Sequence, residues 1–152
     1  MLAQIESALT ASGGPQTYWA GQVATQRLAA SAWLELAAGD TTSAMLHARQ
    51  AADREDGTQK HPVTPGPVLP ARELEGDLLL AVGRPAEAAQ AYAAALALSP
   101  NRARGLFGRG RAAALAGDTA TATATYREFL ALMVKADGGR PEIAIARRAV
   151  VR

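Results

Sequence analysis

Apolar residues return at helical spacing along nearly the whole chain. Leu2, Ile5 and Leu9 share one side of a short helix over 1–10, which Ser12-Gly13-Gly14-Pro15 breaks. A long helix is expected over 17–38, ended by Gly39-Asp40. A second follows over 42–55, with Ala44, Ala48, Ala51 and Ala52 along one side. The pattern then stops: Pro62, Pro65, Pro67 and Pro70 stand within nine residues, which no helix interior tolerates. Residues 60–70 are expected to be extended, with polyproline-II character and a turn at Thr64-Pro65-Gly66-Pro67. Helical periodicity resumes over 71–82, 85–98, 101–116, 118–135 and 141–151, with Pro85 and Pro141 suited to first helical turns. Residues 119–125 alternate threonine and alanine, a strand-like period; alanine is a poor strand former, and helix is expected there too.

A repeat underlies these elements. Gly76 recurs as Gly110, Gly83 as Gly117, Ala88 as Ala122 and Tyr92 as Tyr126, all at an offset of 34 residues. Each position has a packing reason. The first glycine and the alanine let two helices cross closely, the second glycine makes the turn, and the tyrosine fills the wider gap toward the next hairpin. A weaker copy stands earlier: Gly39, Ala44, Ala48 and Ala51 precede Gly83, Ala88, Tyr92 and Ala95 by 44 residues, one repeat plus ten. The proline-rich stretch supplies the ten.

Gly76, Gly83, Ala88, Tyr92, Ala95 and Pro100 resemble the tetratricopeptide repeat, a 34-residue helix–turn–helix unit. The next copy matches at Gly110, Gly117, Ala122 and Tyr126. It departs at Phe129, where a small residue is expected, and at Val134, where proline is expected, so its second helix should pack differently, against the terminal helix. The resemblance implies an all-α fold, a right-handed superhelical stack of antiparallel hairpins. Its parts are a first degenerate hairpin at 17–55, a proline-rich insertion at 56–70, a second hairpin at 71–100, a third at 101–135 and a capping helix at 141–151, all one domain over 1–152. The stretches Tyr18-Trp19-Ala20, Gln26 to Ala30 and Glu55 to Glu73 also resemble the C-terminal region of longer bacterial proteins of this kind, whose activity is unassigned. That resemblance implies a fragment or a stand-alone relative, with Met1 not necessarily the native start.

Composition narrows the functional classes. About a quarter of the residues are alanine and few are aromatic, which favours closely approaching helices. Net charge is only +2, and arginine supplies nearly all the cations, Lys60 and Lys135 being the lysines. Arg102, Arg104, Arg109 and Arg111 fall on more than one helical face without a stacking aromatic set, so no nucleic-acid partner is expected. There are no cysteines. Neither a signal peptide nor a membrane span is legible, so the chain as given reads as cytoplasmic; a periplasmic or secreted parent stays open if it is a fragment.

In tetratricopeptide stacks the first helix of each hairpin lines a concave groove. By register the groove positions are Gln26 and Trp33, then Glu73 and Asp77, then Arg104, Phe107 and Arg111. Arginine forks hold carboxylates and an aromatic anchors an apolar side chain, chemistry suited to a protein or peptide ligand. The alternative is that these charges pair between hairpins as a solvated surface. A homo-oligomer through the end hairpins also stays open. Lys60, His61 and Thr64 mark the insertion as a lid, a partner-binding strand or a rigid spacer. An enzyme is not expected: the serines lack a nucleophile-elbow context, and an enzymatic role would need loop residues such as His61. No metal or other cofactor is expected. His47 and His61 have no partner at a ligand spacing, and Asp53 to Gly57 fails the calcium-loop order. The register predicts that Tyr92→Ala costs about 3 kcal/mol in urea unfolding, as large-to-small core changes do.

Overall fold

The same turn is built three times. Gly39, Gly83 and Gly117 have φ of 86°, 74° and 82°, a left-handed conformation that glycine adopts without steric cost. At each, the following amide donates back five residues: Asp40 to Glu35 at 2.9 Å, Arg84 to Leu79 at 2.8 Å, Asp118 to Ala113 at 2.9 Å. The glycine amides donate back three residues, to Leu36, Leu80 and Ala114, which completes a Schellman stop. Asp40 and Asp118 then cap the next helix, their side chains accepting from the Ser43 and Thr121 amides at 3.0 Å. At the middle turn Arg84 stands in place of the capping aspartate, Pro85 opens the helix, and Arg84 pairs with Glu87 at 2.6 Å. The spacings of these turns, 44 and 34 residues, are those of the sequence repeat.

These turns join helices in a computed structural model that describes residues 1–59, 66–137 and 139–151. The elements are α1 (Leu2–Ser12), α2 (Gln16–Ala37), α3 (Thr41–Asp56), α4 (Ala71–Ala81), α5 (Pro85–Leu98), α6 (Ala103–Leu115), α7 (Thr119–Leu132) and α8 (Pro141–Val150). No strand occurs among the described residues, and the threonine–alanine stretch is helical in α7. Helix α6 starts two residues later than its periodicity predicts, because Asn101 takes a φ of 62° and Arg102 is extended. Helix α7 stops at Leu132, three residues early. Of the insertion, Lys60, His61, Pro62, Val63, Thr64 and Pro65 lie outside the described residues, and with them half of the expected turn. Residues 66–70 are non-helical as expected.

The chain divides into two compact units, Met1–Leu78 and Leu79–Arg152. In the first, α2 and α3 pair through an alanine seam: Ala29, Ala32, Ala48, Ala51 and Ala52 cluster with Ala71, Leu74 and Leu78 of α4. Side chains this small allow the close helix axes that ridge-into-groove packing needs. Leu28, Leu36, Met45 and Leu69 close the edges. Helix α1 lies against α2, tied by Arg27 to Glu6 at 2.7 Å. His47 of α3 meets both carboxylate oxygens of Glu35 on α2 at 2.8 Å, which accounts for one histidine as a hairpin tie.

The same unit holds an ion cluster that closes the insertion. Arg72, in the first turn of α4, is buried; it donates to Asp53 at 2.6 Å, to Asp56 at 2.8 Å and to Glu75 at 2.7 Å. Arg49 reaches the other oxygen of Glu75 at 3.1 Å. One residue before Arg72, the Ala71 amide donates to Glu55 at 2.7 Å, so the end of α3 caps the start of α4. Burial pushes the Arg72 guanidinium toward losing its proton, but the carboxylate hydrogen bonds outweigh it and hold the pKa above its usual value. Every buried side-chain nitrogen and oxygen among the described residues has a partner, so the cluster leaves no buried charge uncompensated.

In the second unit α6 is clasped by two tyrosines. A Cβ added at Gly108 would stand 2.4 Å from the ring of Tyr92, from α5; one at Gly110 would stand 2.8 Å from the ring of Tyr126, from α7. Sequence register assigned Gly110 to the crossing with Ala122 and gave Gly108 no role. Each glycine is the floor on which a buried ring lies. Beyond them Leu106, Tyr126 and Phe129 pack with Ile143 and Ala146 of α8, so the large residue at 129 lies in the core that the terminal helix covers.

Two contrasts follow. Gly108→Ala should destabilise by about 1–2 kcal/mol, because the ring must move and the gain of about 1 kcal/mol in helix propensity only partly offsets that. Gly21→Ala lies in α2 with nothing within 4 Å, and should stabilise by about 0.5–1 kcal/mol; urea unfolding of both variants checks the pair. Arg72→Ala should cost about 3–5 kcal/mol, since three carboxylates lose their shared cation. Acid sensitivity follows the same contacts. Hydrogen bonds from Arg72 to Asp53, from Arg27 to Glu6 and from the capped residues to Asp40 and Asp118 hold these carboxyls below their usual values. Groups shifted this way contribute fully above their unfolded pKa of about 4 and lose that contribution as pH falls through the lower folded values. Melting temperature should therefore be level from about pH 5 to neutrality and fall below about pH 4, less steeply in Arg72→Ala.

Candidate functional site

Helix α2 buries Ala20, Ala24, Thr25, Ala29 and Ala32. Opposite that surface, Trp19, Gln26 and Trp33 recur every seven residues and so share one face. Trp19 and Trp33 remain 42% and 43% exposed, and Leu34 beside them 71%. Gln26 is exposed between the two indoles. Trp19 is steadied edge-on by Tyr18, with ring centroids 5.1 Å apart. Register identifies Gln26 and Trp33 but not Trp19; its seven-residue spacing from Gln26 is the signal that locates it.

Of the two acidic groove candidates on α4, Asp77 is half-buried and Glu73 fully buried. Glu73 thus does not present its carboxylate to a groove, the position that register assigns it. Its neighbours Arg72, Leu74 and Glu75 are buried as well, because the start of α4 is enclosed by the core and by the ion cluster. A partner reaching this helix would meet Asp77.

On α6, Arg104 and Arg111 are exposed and lie seven residues apart on one face, with Phe107 between them. Phe107 is not a free aromatic anchor. Its ring leans on Tyr126 at 5.9 Å and on Phe129 at 5.5 Å, which leaves it half-buried. The two arginines therefore flank a rigid apolar step whose lower side belongs to the core. Burial raises the pKa of the Tyr126 phenol beneath it, and the Arg111 charge partly opposes that rise.

Gln26, Trp33, Glu73 and Asp77 belong to the first unit, and Arg104, Phe107 and Arg111 to the second. The loop candidates Lys60, His61 and Thr64 lie outside the described residues. Among the described residues no group of three His, Asp or Glu side chains could hold a metal ion. No helix there is long and apolar enough to cross a membrane.

No protein-family model matches the chain, and no curated protein does. Among solved structures the chain is similar to the crystal structure of PcrH from Pseudomonas aeruginosa, with a TM-score of 0.62 and 16% identity over 84% of this chain and 89% of that one. At that identity the likeness concerns the fold: the chain is all-α, built of antiparallel hairpins of the tetratricopeptide-like α-solenoid class.

Proposed function

We propose that the chain is a protein- or peptide-binding scaffold whose hairpins hold a partner through the exposed faces of their first helices, and that it is not an enzyme. The observation that carries this reading is the Trp19–Gln26–Trp33 face of α2. Two indoles more than two-fifths exposed on one helix are a cost to an isolated domain and the usual anchors of an interface. Fourteen residues of helix set them about 21 Å apart, the span of about six residues of extended polypeptide. Gln26 between them offers both a donor and an acceptor to a partner backbone. Arg104 and Arg111 on α6 suit carboxylates, with Phe107 as the apolar step between them, and Asp77 on α4 suits a cation. The fold, shared with a tetratricopeptide-like structure, is compatible with such a scaffold.

The test is affinity capture from the source organism with matched variants, followed by calorimetry on the captured partner. Trp33→Ala and Arg104→Glu/Arg111→Glu should each weaken binding by about 2 kcal/mol, roughly thirtyfold, with circular dichroism unchanged. Undiminished affinity in both variants would remove the first-helix faces from the interface.

A further inference from the structure

A second surface lies on the opposite side of α6 from Arg104 and Arg111. It is a groove of about 440 Å³, walled by Ala86, Ala89, Gln90 and Ala93 of α5, floored by Arg109, Ala113 and Ala116, and bounded by Asp118 and Thr121 at the start of α7. Its volume is within the range of ligand-binding clefts, about 300–1,000 Å³.

The repeat register explains why a gap stands here. One repeat earlier, the positions of Ala89, Ala93, Ala113 and Ala116 hold Met45, Arg49, Leu79 and Val82. Four large side chains have become alanine. In the first unit Met45 packs against the core, and Arg49 pairs with Glu75 at 3.1 Å, tying α3 to α4. The residues equivalent to that pair are Ala93 and Arg109: the anion has been replaced by a cation, and its partner by a methyl group. Arg109 forms no ion pair among the described residues. Asp118 registers its charge without pairing with it, and one Asp118 oxygen accepts from the Thr121 amide. The groove thus lacks two things that its counterpart has, apolar volume over the alanines and a carboxylate paired with the arginine.

We infer that this groove is a docking site for a partner polypeptide that presents a glutamate or aspartate to Arg109 and packs an adjacent leucine- or methionine-sized side chain over Ala89 and Ala93. Gln90 stands on the same wall and can hydrogen-bond the second carboxylate oxygen or the partner backbone. The site is independent of the tryptophan face on α2, so it stands or falls without it.

The probe is a short acetylated, amidated alanine-based peptide carrying leucine and glutamate on one helical face, titrated into the ¹⁵N-labelled full chain. Shifts should be confined to amides of α5, α6 and the first turn of α7. A glutamine analogue should bind about tenfold more weakly. Arg109→Glu should lose the glutamate peptide and gain the lysine analogue, a reversal that loss of fold would not produce. Ala89→Met/Ala93→Glu, which rebuilds the filled wall and gives Arg109 an internal partner, should raise the melting temperature and abolish binding, whereas Trp33→Ala should leave it unchanged. Absence of confined shifts at millimolar peptide, or equal binding of the glutamate and glutamine peptides, would overturn the assignment.

Discussion

Helix α6 can receive the two tyrosine rings of its neighbours only because it carries glycine where those rings lie. Gly108 receives the ring of Tyr92 and Gly110 that of Tyr126, two residues apart and so on different sides of the helix. The rings supply the buried area that so alanine-rich a chain otherwise lacks, and the glycines supply the room. Both partners are needed. A methyl group on the helix collides with the ring, and a smaller ring position leaves a cavity. The sides of α6 that remain, one bearing Arg104 and Arg111 and the other Arg109, are free to face outward because the tyrosines have fixed the helix between them.

The first unit solves the same problem of a small-residue core with charge. Its alanine seam brings α2, α3 and α4 close, but nothing in that seam determines where α4 begins after a break in the helical pattern. Arg72 and Glu55 do, by joining the last turn of α3 to the first turn of α4. A buried ion cluster is a weak source of net stability, yet it is strict about geometry, since each missing partner strands a charge.

Fold class was legible because the repeat places unlike residues, glycine, alanine and tyrosine, at one fixed interval, and each is needed for a contact or a turn that recurs. The Schellman stops at Gly39, Gly83 and Gly117 keep the intervals that the sequence displays. Side-chain detail was less legible. Glu73 and Asp77 look alike in sequence, but the core and ion cluster enclose the first and leave the second half-exposed. Phe107 has the spacing of a surface anchor and is held by two rings from α7. Gly108 belongs to no repeat match, because its counterpart under Tyr126 sits at Gly110 rather than one period on. Arg72 was hidden for a different reason: its partners at 53 and 56 stand across the insertion, where no local pattern links them.

The bond between Glu55 and the Ala71 amide has a consequence for the way this chain can vary. It turns the segment between them into a ring whose two ends are fixed by the fold rather than by the segment's own residues. Closing such a ring becomes only about 0.6 kcal/mol harder with each doubling of its length. With Asp56, Leu69 and Pro70 kept for their contacts to α4 and the core, a longer or shorter stretch could therefore be spliced in between without disturbing the hairpins on either side, which makes this a point at which the architecture readily accepts new sequence.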